Sequence, residues 1–262
     1  MTNIGSDKYG ESSVEELKKE NVDTNFIKIE ADKPTNYHYV LWFGDERTIL
    51  VKHEKYEYEW TNTKKSQEYN SPKWVYLSSL GEDSVVFHNK ISEYLKKHVN
   101  VKLAFQPGTF QIKEGHEKLK DIYERTEVIL CNHEEAKIIL NTDEEEISKL
   151  LKMMHALGPK IVVITDGEKG AYSFDGAEIL FVKSFSDDLS VVESTGAGDA
   201  FSSAFISALC KNKSISEGLL WGAINAKSAI SFVGPHKGLL TEEQIEEQIK
   251  NVSDDNKPIN VI

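Results

Sequence analysis

Residues 193–205 read ESTGAGDAFSSAF. Gly196 and Gly198 flank Ala197 directly before Asp199, and an apolar run with helical spacing follows at once. Glycines free the backbone to turn successive N–H groups into one concavity. A helix opening near Ala200 adds the positive end of its dipole. Together they make an anion hole, suited to the charge that develops on a transferring phosphoryl group. A bound phosphate repels a carboxylate beside it. Asp199 therefore makes chemical sense as the group that takes a proton from an attacking hydroxyl. The plainer alternative is structural: Asp199 as an N-cap, with the glycines forming an ordinary turn. Spacing alone leaves both open.

The elements that must position this stretch show a change of texture along the chain. Glu11–Glu20 reads as a short amphipathic helix with Val14 and Leu17 inward. Phe26–Ile29 and Tyr37–Phe43 read as strands, and the GDER stretch, Gly44–Arg47, as a hairpin turn into Thr48–Val51. From about residue 72 strands and helices alternate. Strands are expected at Trp74–Leu77, Lys102–Phe105, Val128–Leu130, Ile161–Thr165, Ala171–Phe174 and Ile179–Val182. Helices are expected at Val85–Lys97, His116–Arg125, Glu134–Leu140, Glu144–Leu157, Ala200–Cys210, Glu217–Phe232 and Glu242–Lys250. Thr142–Glu145 has capping-box spacing for the fourth of these. The tail from Asn251 is expected to fray. Alternation of this kind implies a mainly parallel sheet covered on both faces, with ligands beyond the carboxyl ends of its strands.

The 262 residues suffice for one large α/β domain, and an apolar fraction of 39% supports a packed core. The net charge of −12 argues against nucleic acid and anionic membranes as partners. No apolar run approaches the ~20 residues of a membrane span. The opening MTNIGSDKYG has no signal-peptide pattern, so a cytoplasmic location is expected, with Cys131 and Cys210 as reduced, buried thiols. The histidines show no metal-ligand spacing, and His53, His116 and His155 read as surface residues. Tyr37, Tyr39 and Trp42 could stack a base or sugar ring, or could simply pack a strand face.

STGAGDAF resembles the signature of the ribokinase family, also called the PfkB family of carbohydrate kinases. Thr195, Gly196, Ala197, Gly198, Asp199 and Phe201 match it. Glu193 stands where the family usually has Asp, and Ser194 where it has Thr. In some members that acidic position lies near a monovalent-cation site, which stays open here. The resemblance implies a ribokinase-like three-layer α/β/α sandwich, a mainly parallel central sheet and a small β lid within about 26–60 of a single domain spanning 1–262. It implies ATP and Mg²⁺ as cofactors and phosphoryl transfer to a hydroxyl of a sugar or nucleoside. Asp199 would be the base, with the backbone of Gly196, Ala197 and Gly198 as the anion hole.

Further matches follow. Asn132-x-x-Glu135 resembles the family motif for magnesium and phosphate, in which Glu135 would meet Mg²⁺ through water. Taken alone, the same spacing is a solvated helix start. Thr165, Gly167 and Gly170 in VVITDGEKGAYSF resemble the nucleotide-binding turn; without the family they are a β-turn. Gly234 in FVGPHKG and Asn225 on the preceding helix fall near nucleotide-contacting positions, with Ala223 aligning at least as well as Asn225. Gln106 in LAFQPGTF is expected to touch phosphate or substrate, or else to sit exposed in a Pro-Gly turn. Gly5, Asp7 and Gly10 match a Gly-x-Asp-x-x-Gly element, and the strand and Gly-Gly motif that precede it in the family are not found. The chain thus resembles about the last four-fifths of a typical member. The sheet is expected to lack a central strand, leaving exposed edges and part of the core unfilled, and the substrate to lack one orienting carboxylate. Alternatives to an active kinase are a nucleotide-binding but catalytically impaired fragment and an assembly module. Lid strands in this family imply a possible homodimer.

Overall fold

The computed structural model describes residues 1–43, 46–52, 54–60, 72–82, 84–185, 192–234 and 236–261. The chain divides into two compact units, Met1–Asn70 with Leu80–Ile91, and Ser71–Ser79 with Ser92–Ile262.

In the first unit, β1 (Thr2–Gly5) leads through a short bend into α1 (Lys8–Lys19) and then β2 (Ile27–Glu30). β1 and β2 pair in parallel. The Gly5-x-Asp7-x-x-Gly10 element holds this arrangement together. Asp7 caps α1 by accepting from Gly10 N at 3.0 Å, and also accepts from Thr35 N at 2.9 Å and Thr35 Oγ1 at 2.6 Å. These bonds, the Thr35 hydroxyl foremost, hold the Asp7 carboxyl below the usual carboxylate range. A Cβ at Gly5 would lie 2.2 Å from Lys33 O, so a side chain there is excluded by backbone. β3 (Tyr37–Phe43) and β4 (Glu46–Lys52) form a separate antiparallel ribbon. Tyr37 packs its ring 5.4 Å from Tyr9 and 5.2 Å from Tyr39. The expected turn residues Gly44 and Asp45, and His53, lie outside the described residues.

The second unit is built on a seven-stranded sheet. In chain order its elements are β5 (Trp74–Leu77), α2 (Val85–Lys97, whose first turns fall in the first unit), β6 (Lys102–Phe105), α3 (Thr109–Glu114), α4 (Lys120–Arg125), β7 (Val128–Asn132), α5 (His133–Leu140), α6 (Ile147–Ala156), β8 (Ile161–Thr165), β9 (Ala171–Phe174), β10 (Ile179–Val182), α7 (Ala197–Cys210), α8 (Ile215–Ala229), α9 (Glu242–Ile249) and β11 (Ile259–Asn260). The strand order is β11-β10-β9-β8-β7-β6-β5. β5 through β8 run parallel, and the β9-β10-β11 end is antiparallel. Alternation along β7 and β8 sorts the two faces. Val128, Leu130 and Val163 meet Phe201, Phe205 and Leu219 of α7 and α8. Ile129, Val162 and Ile164 are buried on the other face, where α5 and α6 pack on β7 and β8.

The α7–α8 pair sets where Asp199 stands. Gly218 and Gly222 lie one turn apart on α8 and let it close on the rings of Phe205 and Phe201. A Cβ at Gly222 would come within 2.8 Å of the Phe201 ring. Phe205 is fully buried, worth roughly 1.5–3 kcal/mol. Ser214 and Glu217 form a reciprocal capping box that starts α8.

Several boundaries differ from expectation. The Thr142–Glu145 capping box does not form. Thr142 Oγ1 instead takes Glu144 N, the Glu144 carboxylate takes the N–H groups of Glu145 and Glu146, and α6 starts at Ile147. The helix expected at His116–Arg125 begins only at Lys120, as α4, and a separate helix, α3, precedes it with Gly108 as its N-cap, so Pro107-Gly108 opens a helix. The tail does not simply fray: β11 pairs with β10 and closes that sheet edge. Cys131 is buried as expected, but Cys210 is exposed at the end of α7. His116 and His155 are half-buried, edge-on to Tyr123 and Phe174. Among the described residues no helix is long and apolar enough to cross a membrane.

Candidate active site

Parallel strands deliver side chains to a common edge at their carboxyl ends. Gln106 follows β6 directly, Asn132 ends β7, and Thr165 ends β8. Asn132 and Thr165 are register partners across the β7–β8 ladder. These residues and the Gly196–Asp199 stretch all belong to the second unit.

The Gly196–Asp199 stretch takes a form that its spacing alone did not fix. α7 begins at Ala197, three residues before the expected start, and Gly196 is its N-cap in the left-handed region, at φ 83°. Asp199 is therefore not the cap. It sits in the first turn, exposed, where its carboxylate does not cap the helix. The Ala197 N–H turns back to Ser194 O at 3.2 Å. Gly198 and Asp199 carry first-turn N–H groups, which an α-helix leaves without a partner four residues back. At Gly198 no heavy atom lies within 4 Å of the position a Cβ would take. A side chain would fill that space, and a phosphate oxygen can approach the backbone there.

Asn132 and Glu135 form a capping box. Asn132 Oδ1 accepts from Glu135 N at 2.8 Å, and Glu135 Oε2 accepts from Asn132 N at 2.9 Å. The motif thus starts α5 and, in the same stroke, fixes a half-buried carboxylate at the strand edge. Burial pushes the Glu135 carboxyl above the ordinary range, the Asn132 N–H pulls it back, and the charge on Asp199 adds to the rise. Glu135 and Asp199 therefore feel one another. Among the described residues no group of three or more His, Cys, Asp or Glu is arranged to hold a metal. Glu135 is the carboxylate that the capping box holds at this edge, and Mg²⁺ is an ion that keeps most of its waters and leans on one or two carboxylates and on phosphates.

The turn after β8 divides its labour between two glycines. Gly170, at φ 121°, lets the turn lie against β10: a Cβ there would be 2.1 Å from Val182 O. Gly167, at φ 55°, has open space at its Cβ position. Asp166 N donates to Gly170 O at 2.8 Å and closes the turn.

Two cavities flank the first turn of α7. One, of about 210 Å³, is lined by Thr165, Gly167, Gly170, Ala197 and Gly198, with Ala223, Ala226 and Ile230 forming an apolar wall. Lys183 and Lys227 bring cations to it. The other, of about 500 Å³, is lined by Asp199, Gln106, Tyr76, Ser78 and the outer face of α7 down to Lys211. Gln106 is half-buried and donates from Nε2 to Asp199 Oδ1 at 2.8 Å.

Not every expected residue joins this site. Asn225 is buried at 4% exposure, and its amide is spent on structure. Nδ2 donates to Ala200 O at 2.8 Å and Oδ1 accepts from Leu240 N at 2.9 Å. Ala223, the other position considered, lines the smaller cavity. Gly234 is not among the residues lining either cavity. At φ 89° it donates its N–H to the buried Glu193 carboxylate at 2.8 Å. Tyr76, Lys183 and Lys227 had no motif to mark them. Tyr76 reaches Gln106 only through the β5–β6 register, where a short strand with aromatic residues gave no sign of a polar role.

Comparison with known proteins adds to this geometry. The family model described as pfkB family carbohydrate kinase matches residues 1–239. An ATP-dependent 6-phosphofructokinase of Thermoanaerobacterium thermosaccharolyticum is 24% identical over 242 residues, covering 89% of this chain and 73% of that protein. The crystal structure of a Methanocaldococcus jannaschii nucleoside kinase, an archaeal member of the ribokinase family, superposes with a TM-score of 0.74 at 21% identity, covering 95% of this chain and 79% of that one. A Vibrio cholerae fructokinase in its fructose-, ADP- and calcium-bound form superposes with a TM-score of 0.75 at 18% identity, covering 94% and 83%. The fold is ribokinase-like.

Proposed function

The chain belongs to the pfkB family of carbohydrate kinases, and we propose that it transfers the γ-phosphoryl group of ATP to a hydroxyl of a sugar or nucleoside, with Asp199 as the general base. The observation that carries this reading is the first turn of α7. Ala197 and Gly198 line the smaller cavity while Asp199 lines the larger. One helix start thus offers N–H donors on one side and a carboxylate on the other, which is what an in-line displacement needs.

Thr165, Gly167 and Gly198 hold the phosphates in the smaller cavity, with Gly170 shaping the turn and the Ala223–Ile230 wall against the base. Glu135 and Asn132 would hold the waters of a bound Mg²⁺, whose charge would offset that of the phosphates. The acceptor lies in the larger cavity. Its hydroxyl oxygen bonds to the phosphorus as its proton passes to Asp199, the bond to the β-phosphate breaks, and ADP leaves. The N–H groups of Gly198 and Asp199 hold the charge that develops on the transferring group. Tyr39, Leu41 and Leu50 expose more than half their surface on the β3–β4 ribbon. A two-stranded ribbon is marginal by itself, which favours a second copy of the chain as its partner. Sedimentation as a monomer at micromolar concentration would remove that part of the proposal.

The test is mass-spectrometric detection of phosphorylated product from this chain, MgATP and a panel of sugars and nucleosides. A product that requires Mg²⁺ supports the kinase reading and names the acceptor class. MgATP binding without product from any member of the panel supports the nucleotide-binding, catalytically impaired alternative instead.

A further inference from the structure

Asp199 is exposed, so packing alone does not fix the direction of its carboxylate. Two neighbours do. Gln106 Nε2 donates to Asp199 Oδ1 at 2.8 Å, and the Tyr76 hydroxyl donates to Gln106 Oε1. All three line the same cavity. The chain of donors can run only one way. A carboxylate accepts, so Gln106 must present its NH₂ to Asp199, and its carbonyl must then face Tyr76. Burial of the hydroxyl, followed by the charge on Asp199, pushes the Tyr76 phenol well above its ordinary range, so it stays a donor. Tyr76 is 40% exposed, with its hydroxyl against the Gln106 amide.

We propose that Gln106 and Tyr76 are positioning residues for the base. Gln106 engages one oxygen of Asp199 and leaves the other aimed at the acceptor hydroxyl, and Tyr76 locks the amide so that it donates. Proton abstraction needs the base within hydrogen-bonding reach of the hydroxyl, and a misplacement of about 1 Å can cost ~100-fold in rate. A neutral donor performs this task without adding charge beside the base. Among the described residues, the ionisable groups around Asp199 are Glu135 from α5 and Tyr76 from β5, with Cys210 and Lys211 at the far end of the cavity, Lys211 paired to Glu242. The inference rests on Asp199 being the base, and its test separates the two.

The variants are Gln106→Leu, Gln106→Glu and Tyr76→Phe. Gln106→Leu is expected to lower kcat by about 10- to 100-fold with the KM for ATP within about twofold. Gln106→Glu places a second carboxylate on the base, so the acid limb of the pH–rate profile moves to higher pH. Tyr76→Phe frees the amide to flip and gives a smaller kcat loss in the same direction. The second readout needs no turnover: the ¹³C carboxyl resonance of Asp199, assigned with Asp199→Asn, titrates at higher pH in Gln106→Glu than in the parent. A kcat unchanged in Gln106→Leu, or an Asp199 titration unmoved in Gln106→Glu, overturns the proposal. If the parent chain makes no product but the resonance moves, the hydrogen-bonded relay stands and the kinase reading fails. If the resonance does not move, the relay fails whatever the turnover.

Discussion

Replacing Gly198 with alanine separates the stability of the fold from the work of the site. Gly198 is the second residue of α7, and its φ is not among the positive values. Nothing lies within 4 Å of the position the new methyl would take. Alanine there costs no strain and reduces the freedom of the unfolded chain, which stabilises by about 0.4–1 kcal/mol. For a chain of this size that raises Tm by about 1–4 °C. The same methyl fills the space through which a phosphoryl oxygen reaches the first-turn N–H groups. Displacing that group by about 1 Å costs ~100-fold in turnover, about 2.7 kcal/mol of barrier. The assay is a thermal melt beside kcat/KM from product quantification, with MgATP affinity by calorimetry. The expected variant melts higher and turns over far more slowly. A variant that keeps parental turnover, or one that melts lower, would refute the reasoning about the cradle.

Gly170→Ala should behave in the opposite way. Its φ of 121° and a Cβ position 2.1 Å from Val182 O make it a folding defect, costing about 1–3 kcal/mol and visible as a lowered urea midpoint. Asn132→Ala removes one half of the capping box and should cost about 0.5–2 kcal/mol, read by the same denaturation, while also loosening Glu135 and weakening Mg²⁺-dependent nucleotide binding. Glu135 makes a pH prediction. Its folded carboxyl holds a proton to higher pH than the unfolded one, whose ordinary value is 4.5. The stability this contributes is fully present below the unfolded value and is lost as pH rises through the folded one. Relative to the parent, Glu135→Gln should therefore gain stability as pH climbs above the unfolded value of 4.5; no change in that difference would contradict the effect of burial and of the Asp199 charge.

The strands that carry the site were legible because they are short apolar runs bounded by turn residues, and Trp74–Leu77, Lys102–Phe105 and Ile161–Thr165 appear with the expected bounds. The start of α7 was not. Its apolar pattern begins only at Ala200, and the left-handed conformation of Gly196, which brings the helix forward to Ala197, leaves no mark beyond the glycine itself. Asn225 misled for a related reason. The family resemblance put it near a nucleotide-contacting position, but its partners come from Ala200 and Leu240, 25 and 15 residues away. Tyr76 lies 30 residues from Gln106, and Gln106 lies 93 from Asp199. Such contacts are set by sheet register and helix docking, which local pattern does not encode. β11 is the same case: a two-residue strand exists because the edge of β10 is there to pair with it.

The most direct measurement compares the parent with Asp199→Asn, recording product formation from MgATP and an accepted hydroxyl compound beside MgATP affinity. Asparagine keeps the shape of the side chain and its place in the first turn of α7, but it cannot take the proton. The expected result is loss of nearly all turnover with ATP affinity almost unchanged. Equal turnover in the variant would contradict Asp199 as the base, and with it the reading of the two cavities as the donor and acceptor halves of one kinase site.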